Sequence, residues 1–268
     1  MTVDLLRASH PGPTAAVSAL AGVLVVTAGA GVRSVLIVAA VLAGQLSVGW
    51  SNDWLDAVRD TTVGRADKPV AAGRVTAGTV RNAALSAAAA CVVLSLLLGW
   101  AAGIVHLAAV ASAWSYNLRL KRTAWSWAPY ALSFGLLPLA LALALPGRPT
   151  AAWWAIGAGA LLGTGAHGLN VLPDLLDDAA TGVRGLPHRL GVVPTAVGSA
   201  AVLLVATVLL VTGPPGCVSV ADSVTLVLAA AVAAVSRRSP RSRLPFVAAI
   251  AVAAVDVVLL AGSPWTVL

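Results

Sequence analysis

Residues 36–60 read LIVAAVLAGQLSVGWSNDWLDAVRD. An uncharged apolar run passes, with no proline to stop it, into a segment carrying Asn52, Asp53, Asp56 and Asp60. Crossing a hydrocarbon core of roughly 30 Å takes about 20 apolar residues. On a helix, the four polar residues fall within an arc of about 100°. The stretch reads as a spanning helix with an acidic face at one end.

The rest of the chain agrees. Of 268 residues, 59% are hydrophobic and 10% charged, and the mean hydropathy is +0.92. A soluble domain keeps a more heavily charged surface. Nine apolar stretches centre on 14–31, 34–50, 76–98, 100–118, 129–146, 151–169, 191–212, 219–235 and 245–262. Inside lipid every backbone polar group must be paired, which leaves helices or a closed barrel. These runs lack the alternation of barrel strands, so the expected fold is all-α, a polytopic membrane protein of nine transmembrane helices forming one domain over 1–268. The run at 14–31 follows Arg7 as a secretory signal would, but it is long for a signal core and is expected to be retained as the first span.

A net charge of +7 does not point to nucleic acid, because the basic residues sort by loop. Arg7; Arg59, Arg65, Lys68, Arg74 and Arg81; Arg119, Lys121 and Arg122; Arg184 and Arg189; and Arg237, Arg238, Arg241 and Arg243 fall in alternate loops, fifteen of the 17 Lys and Arg. Arg33 and Arg148 fall on the other side. With nine spans, the positive-inside rule puts the N-terminus and the acidic face in the cytoplasm and the C-terminus outside. Cys91 and Cys217 lie in or beside different apolar runs and imply no disulfide framework.

The chain has no Glu, and its acids cluster: Asp53, Asp56, Asp60 and Asp67 after the second run, Asp174, Asp177 and Asp178 after the sixth. A shift of 118 residues superposes Asn52 on Asn170, Asp56 on Asp174, Asp60 on Asp178, Gly64 on Gly182, Pro69 on Pro187 and Gly73 on Gly191. The matches predict a duplicated helix–loop–helix unit with motif loops at 50–75 and 168–193. Asn170, Asp174 and Asp178, at i, i+4 and i+8, form a second stripe on a helix.

Adjacent carboxylates at the edge of lipid repel unless a cation lies between them. The donors are hard oxygens without Cys or His, which selects Mg²⁺, Ca²⁺ or Mn²⁺. Mg²⁺ is commonly held by one or two carboxylates together with substrate phosphates. Arg65, Lys68, Lys121, Arg122 and Arg189 share the layer and could meet a diphosphate, although topogenic charge or lipid headgroups also account for them. Helix capping is the competing explanation of the aspartates.

The segment Asn52-Asp53-Trp54-Leu55-Asp56-Ala57-Val58-Arg59-Asp60 resembles the N-D-x-x-D-x-x-x-D motif of the UbiA superfamily of intramembrane prenyltransferases. Asp174-Leu175-Leu176-Asp177-Asp178 is similar to that family's second D-x-x-x-D motif. The loops Arg65 to Gly73 and Leu186 to Gly191, Ser115-Tyr116-Asn117 with Lys121, and Arg7 before Pro11 also resemble family segments. One departure is that Asn170 is followed by Val171, where many relatives carry Asn-Asp.

The resemblance implies nine helices around a central cavity and a prenyl group passed from a prenyl diphosphate to an aromatic or lipid acceptor in the membrane. It implies two or more Mg²⁺ held by Asn52, Asp53, Asp56, Asp60, Asp174 and Asp178. Asp56, Asp60, Asp174, Asp178 and Lys121 form the expected catalytic group. Arg7, Asn52, Arg65, Lys68, Tyr116, Lys121, Asn170 and Arg189 are expected at the diphosphate. Trp54, Trp114 and Tyr116 could face a carbocation, His167 could touch an acceptor, and Asp256 lies deep in the last run. A terpene cyclase or prenyl-phosphate transferase of the same fold and a cation-binding transporter remain alternatives. The glycines 135, 157, 159, 163 and 165 are candidates for sizing the cavity.

Overall fold

The structure is a computed structural model and describes residues 2–180, 182–215, 220–238, 252, 254–256, 258 and 260–267. The helices are α1 (Thr2–Ala8), α2 (Pro11–Thr27), α3 (Arg33–Thr62), α4 (Ala77–Leu97), α5 (Trp100–Leu118), α6 (Ala128–Ala144), α7 (Trp153–Val171), α8 (Leu175–Ala180), α9 (Leu186–Leu190), α10 (Val192–Thr212) and α11 (Val220–Arg238). Short 3₁₀ turns cover Leu120–Arg122 and Leu172–Asp174. Eight of the nine expected apolar stretches are helical, and most of the ninth, 245–262, lies outside the described residues, as does Cys217. Among the described residues four helices are long and apolar enough to span a membrane: Arg33–Thr62, Ala77–Leu97, Trp153–Asp174 and Val192–Thr212. The chain is an all-α integral membrane protein.

Consecutive long helices pack side by side, α2 on α3, α3 on α4, α4 on α5, α5 on α6, α6 on α7, α7 on α10 and α10 on α11. A two-residue antiparallel ladder joins the segment before α7 to the C-terminal end, pairing Thr150 with Val267 and Ala151 with Thr266. Ala152 N–H donates to the Trp265 carbonyl at 2.8 Å. At the same end, Arg33 donates to the carbonyls of Ala144 (2.7 Å) and Leu98 (2.6 Å), which are left unpaired by the ends of α6 and α4. Its charge is spent on helix termini, far from the aspartates.

Close approach of the helices depends on small residues. A Cβ on Gly163 would lie 2.4 Å from the Tyr130 carbonyl oxygen, and one on Gly159 2.5 Å from that of Phe134. The pair forms a Gly-x-x-x-Gly seam between α7 and α6, the arrangement that lets membrane helices touch backbone to backbone. Gly165 and Gly157 receive Leu203 and Leu209 of α10 in the same way. The glycines therefore set helix spacing, and Gly159 also borders a cavity.

The ends of α3 and α8 are built alike. Arg65 N–H reaches back to the Asp60 carbonyl at 2.9 Å and Gly64 N–H to that of Thr61 at 3.2 Å. Val183 N–H bonds Asp178 at 2.9 Å and Gly182 N–H bonds Ala179 at 3.3 Å. Gly64 and Gly182 have φ of 71° and 79°, a left-handed conformation that glycine adopts without a Cβ penalty, and together these are Schellman closures. The second stripe differs in one respect. Pro173 cannot donate a helical hydrogen bond, so α7 gives way to the 3₁₀ turn Leu172–Asp174 before α8 begins. Asn170, Asp174 and Asp178 thus lie on α7, a 3₁₀ turn and α8 in succession rather than on one continuous α-helix.

Replacing Gly163 by Ala should destabilise the protein by about 1–3 kcal/mol through overpacking. Gly198→Ala, with nothing within 4 Å of its Cβ position, should leave stability unchanged. Thermal unfolding of both variants in lipid nanodiscs checks this, and equal midpoints would sink the seam.

Candidate active site

α3 is 30 residues long, about 45 Å at 1.5 Å per residue, so its last turns extend past a hydrocarbon core of roughly 30 Å. Those turns carry Asp53, Asp56 and Asp60, each 2% exposed. The turn from α1 to α2 packs against the first of them. His10 takes a left-handed conformation (φ 54°) before Pro11, and the chain passes so close to α3 that a Cβ on Gly49 would lie 2.1 Å from the Ser9 carbonyl oxygen. Gly49 and Asp53 share a face at i and i+4, which sets His10 Nε2 3.1 Å from Asp53 Oδ1.

A network of cations runs through the carboxylates. Lys68 Nζ donates to Asp53 Oδ1 at 2.5 Å and to Asn52 Oδ1 at 3.3 Å, and lies 3.8 Å from Asp60 Oδ2. Asn52 donates to Asn117 (3.1 Å), which in turn donates to Ser51 Oγ (2.8 Å) and the Val48 carbonyl (3.0 Å). Lys121, 5% exposed in the turn after α5, donates to Asp56. Arg59 donates to Asp56 Oδ2 at 3.2 Å and Asp60 Oδ1 at 3.2 Å, and approaches Asp178 Oδ1 at 3.6 Å. Arg65 grips Asp67 with two 3.0 Å bonds and lies 3.6 Å from Asp174. The two acidic motifs, more than a hundred residues apart in sequence, share one charge cluster.

Outside the spans, burial and charge act in opposite senses. Burial pulls the Lys121 ammonium below its usual range, with Asp56 opposing. Burial raises the Asp178 carboxyl, only partly offset by Arg59. The bidentate Arg65 bond lowers Asp67. Burial also lowers His188, favouring the neutral ring, and its Nε2 lies 3.8 Å from Asp178 Oδ2.

Of the expected site residues, Asn52, Asp53, Asp56, Asp60, Arg65, Lys68, Lys121, Asp174 and Asp178 come together. Arg7 and Arg189 are exposed, and Arg189 Nε bonds the Arg184 carbonyl at 3.3 Å instead. The Asp177 side chain lies outside the described residues. Tyr116 stands edge-on to Tyr130 (5.1 Å) and His167 (5.5 Å), while Tyr130 stacks on Phe134 at 6.5 Å. Asn170 is exposed, within hydrogen-bonding reach of the Tyr130 hydroxyl. Trp54 packs instead with Ala8, Val75 and Val80, and Trp114 bonds Ser47 Oγ at 3.2 Å. His167 Nε2 pairs with Ser126 Oγ at 3.0 Å, which also takes the Leu186 N–H at 2.9 Å. Asp256, fully buried with Thr207 Oγ1 3.3 Å away, borders a cavity of about 40 Å³ among Leu24, Phe134, Leu137, Leu210 and Leu260. It takes no part in the acidic cluster.

Sequence reasoning gave no site role to Arg59, Asn117 and His188, which it named only within motifs and loops, and none to His10 and Ser126. The i+3 spacing of Arg59 from Asp56 was visible in the sequence, whereas its approach to Asp178 depends on the fold.

The donor set suits a hard divalent ion. Asp53, Asp56, Asp60, Asp67, Asp174 and Asp178 outnumber Arg59, Arg65, Lys68 and Lys121, leaving the cluster formally two charges negative. Among the described residues no three His, Cys, Asp or Glu groups are gathered into a ligand shell, and Arg59, Lys68 and Lys121 hydrogen-bond to the carboxylates instead.

Lys121→Met, which leaves Asp56 buried without one of its partners, should cost about 3–5 kcal/mol, and the double change Lys121→Met with Asp56→Leu should recover most of it. Additive losses in unfolding experiments would show that the two side chains are not coupled.

Comparison with known proteins follows the geometry. The UbiA homologue from Archaeoglobus fulgidus bound to GPP and Mg²⁺ superposes with a TM-score of 0.73, covering 96% of this chain and 97% of that one at 15% identity. A digeranylgeranylglyceryl phosphate synthase superposes at 0.66, covering 97% and 96% at 16% identity. The bacteriochlorophyll synthase 33 kDa chain of Cereibacter sphaeroides is 34% identical over 187 residues, 64% of this chain and 60% of that relative. The sequence pattern of the UbiA prenyltransferase family matches residues 15–265, and the chain belongs to that family.

Proposed function

We propose that the protein transfers a prenyl group from a prenyl diphosphate to a hydrophobic aromatic or lipid acceptor within the membrane. The observation that carries this reading is the convergence of Asp56, Asp60 and Asp178 on one guanidinium. Two acidic motifs from separate helices there face a common space requiring positive charge. Family relatives support it: the Archaeoglobus homologue has structures with GPP or DMAPP and Mg²⁺, and the Cereibacter relative is a bacteriochlorophyll synthase. The common 118-residue offset and the matched Schellman turns support a duplicated unit that brings the motifs together.

Asn52, Asp53, Asp56, Asp60, Asp174 and Asp178 are the residues that would hold Mg²⁺. When bound, the ion supplies positive charge to the departing diphosphate. Lys68, Lys121 and Arg65 can turn their N–H groups from carboxylate to phosphate oxygens and stabilise charge developing on the leaving group. Heterolysis of the allylic C–O bond sends the electron pair to diphosphate and leaves an allylic cation. The acceptor's electron pair forms the new bond to C1, and its proton departs to a base. Tyr116, Tyr130 and His167 form an aromatic wall beside the acids, able to face a cation and exclude water. Phe134 extends that wall to the small, largely apolar cavity that Asp256 also borders.

Pyrophosphate release from C10, C15 and C20 prenyl diphosphates, measured in nanodiscs with and without Mg²⁺, tests the reading. Release should require Mg²⁺ and fall at least a hundredfold in Asp56→Asn and Asp178→Asn, in line with loss of electrostatic stabilisation. Near-normal turnover in both variants would end the two-motif mechanism, and release without acceptor accompanied by terpene products would redirect it to cyclisation. In the metal-free protein burial raises the Asp178 carboxyl, so acidification should protonate it sooner than a surface aspartate, and added Mg²⁺ should reverse that order. Carboxyl titration followed by NMR checks both, and an Asp178 that titrates like a surface aspartate without metal would contradict this.

A further inference from the structure

Arg59 occupies an unusual place. It lies inside the first motif, three residues after Asp56 and one before Asp60, yet its side chain does not point away from them. Its Nε and Nη2 donate to Asp60 Oδ1 at 3.3 and 3.2 Å, Nη2 reaches Asp56 Oδ2 at 3.2 Å, and Nη1 lies 3.6 Å from Asp178 Oδ1. One guanidinium thus bridges carboxylates of both motifs. A planar fork of donors suits such bridging better than a point charge does. The side chain is 17% exposed, so a path to water is open to it. The carboxylates it holds are among those that would have to approach one another around a divalent ion, and they are not so gathered here.

We infer that Arg59 is a resident counter-cation: it holds the two motifs together without metal, and a divalent ion must displace its guanidinium to bind there. This rests on the metal-dependent reading of the site. Repulsion among Asp56, Asp60 and Asp178 in a poorly solvated setting demands positive charge in the resting protein, and Arg59 supplies it intramolecularly. Metal without diphosphate must compete with a tethered cation and binds weakly. Metal arriving with a diphosphate brings anionic oxygens that the displaced guanidinium can bond instead. Arg59 is a positioning residue that couples metal entry to substrate entry.

The test uses Mn²⁺ alone, with no prenyl compound, on the full-length protein in nanodiscs, with affinity read by electron paramagnetic resonance. Arg59→Gln should bind Mn²⁺ at least tenfold more tightly than wild type, Arg59→Lys should fall between, and adding Asp56→Asn to Arg59→Gln should abolish the gain. Unchanged or weaker binding in Arg59→Gln overturns the inference. A second measurement needs no variant: phenylglyoxal labelling of Arg59, followed by peptide mass, should accelerate when Mn²⁺ is added to the wild type. Labelling that stays constant or slows also overturns it. Turnover separates the two readings. Wild-type prenyl-diphosphate turnover with no Arg59 effect on Mn²⁺ sinks this inference alone. Tightened Mn²⁺ binding without turnover on any donor sinks prenyl transfer and leaves the role of Arg59 standing.

Discussion

Carboxylates at the mouth of an apolar bundle cannot stand together without cations, and that constraint shapes the surrounding structure. Water screens charge poorly there, so each aspartate needs a partner within a few ångströms or gives up its charge. Lys68 is delivered by the loop after α3, Lys121 by the turn after α5, and Arg59 by the motif itself. Two pieces of chain are tied to one helix end as a result, and Arg59 reaches across to a third at Asp178. The close passage of Ser9 over Gly49 and the capping of α3 and α8 by glycines serve the same arrangement.

Below the charged layer the requirements change. Helices there gain little from apolar contact with one another, because lipid is equally apolar, and association rests on close packing. The Gly159 and Gly163 seam meets that need between α6 and α7. Between seam and acids stand Tyr116, Tyr130 and His167, polar enough to border the charged cluster and flat enough to border a hydrocarbon. The three zones run from charge through aromatics to aliphatic packing, the order the proposed prenyl diphosphate would require.

Much of this was legible in the sequence. Apolar length predicted helices where they are, and the end of α3 could be read as an acidic face since helical geometry alone puts Asn52, Asp53, Asp56 and Asp60 together. The second motif was less transparent: a 3₁₀ turn at Pro173 interrupts its helix, and a proline's effect on neighbouring turns depends on packing. Arg59 looked like one more basic loop residue because its partner Asp178 is distant in sequence. Arg7 and Arg189 carried the right charge in the right layer, but which way a side chain turns is decided by the fold. Glycines suited to sizing a cavity proved to be contact points between helices, with Gly159 serving as both, a distinction composition cannot make.

The ladder of Thr150 and Ala151 with Thr266 and Val267 has a consequence for how the protein is made. Its first strand emerges with α7 still to come, and its second follows the remaining helices. During synthesis the edge at Thr150 must wait unpaired while α7 and α10 enter the membrane. Trp265, 2% exposed in the finished fold, then seats beside it. Closure of this end of the bundle is therefore a late event in biogenesis.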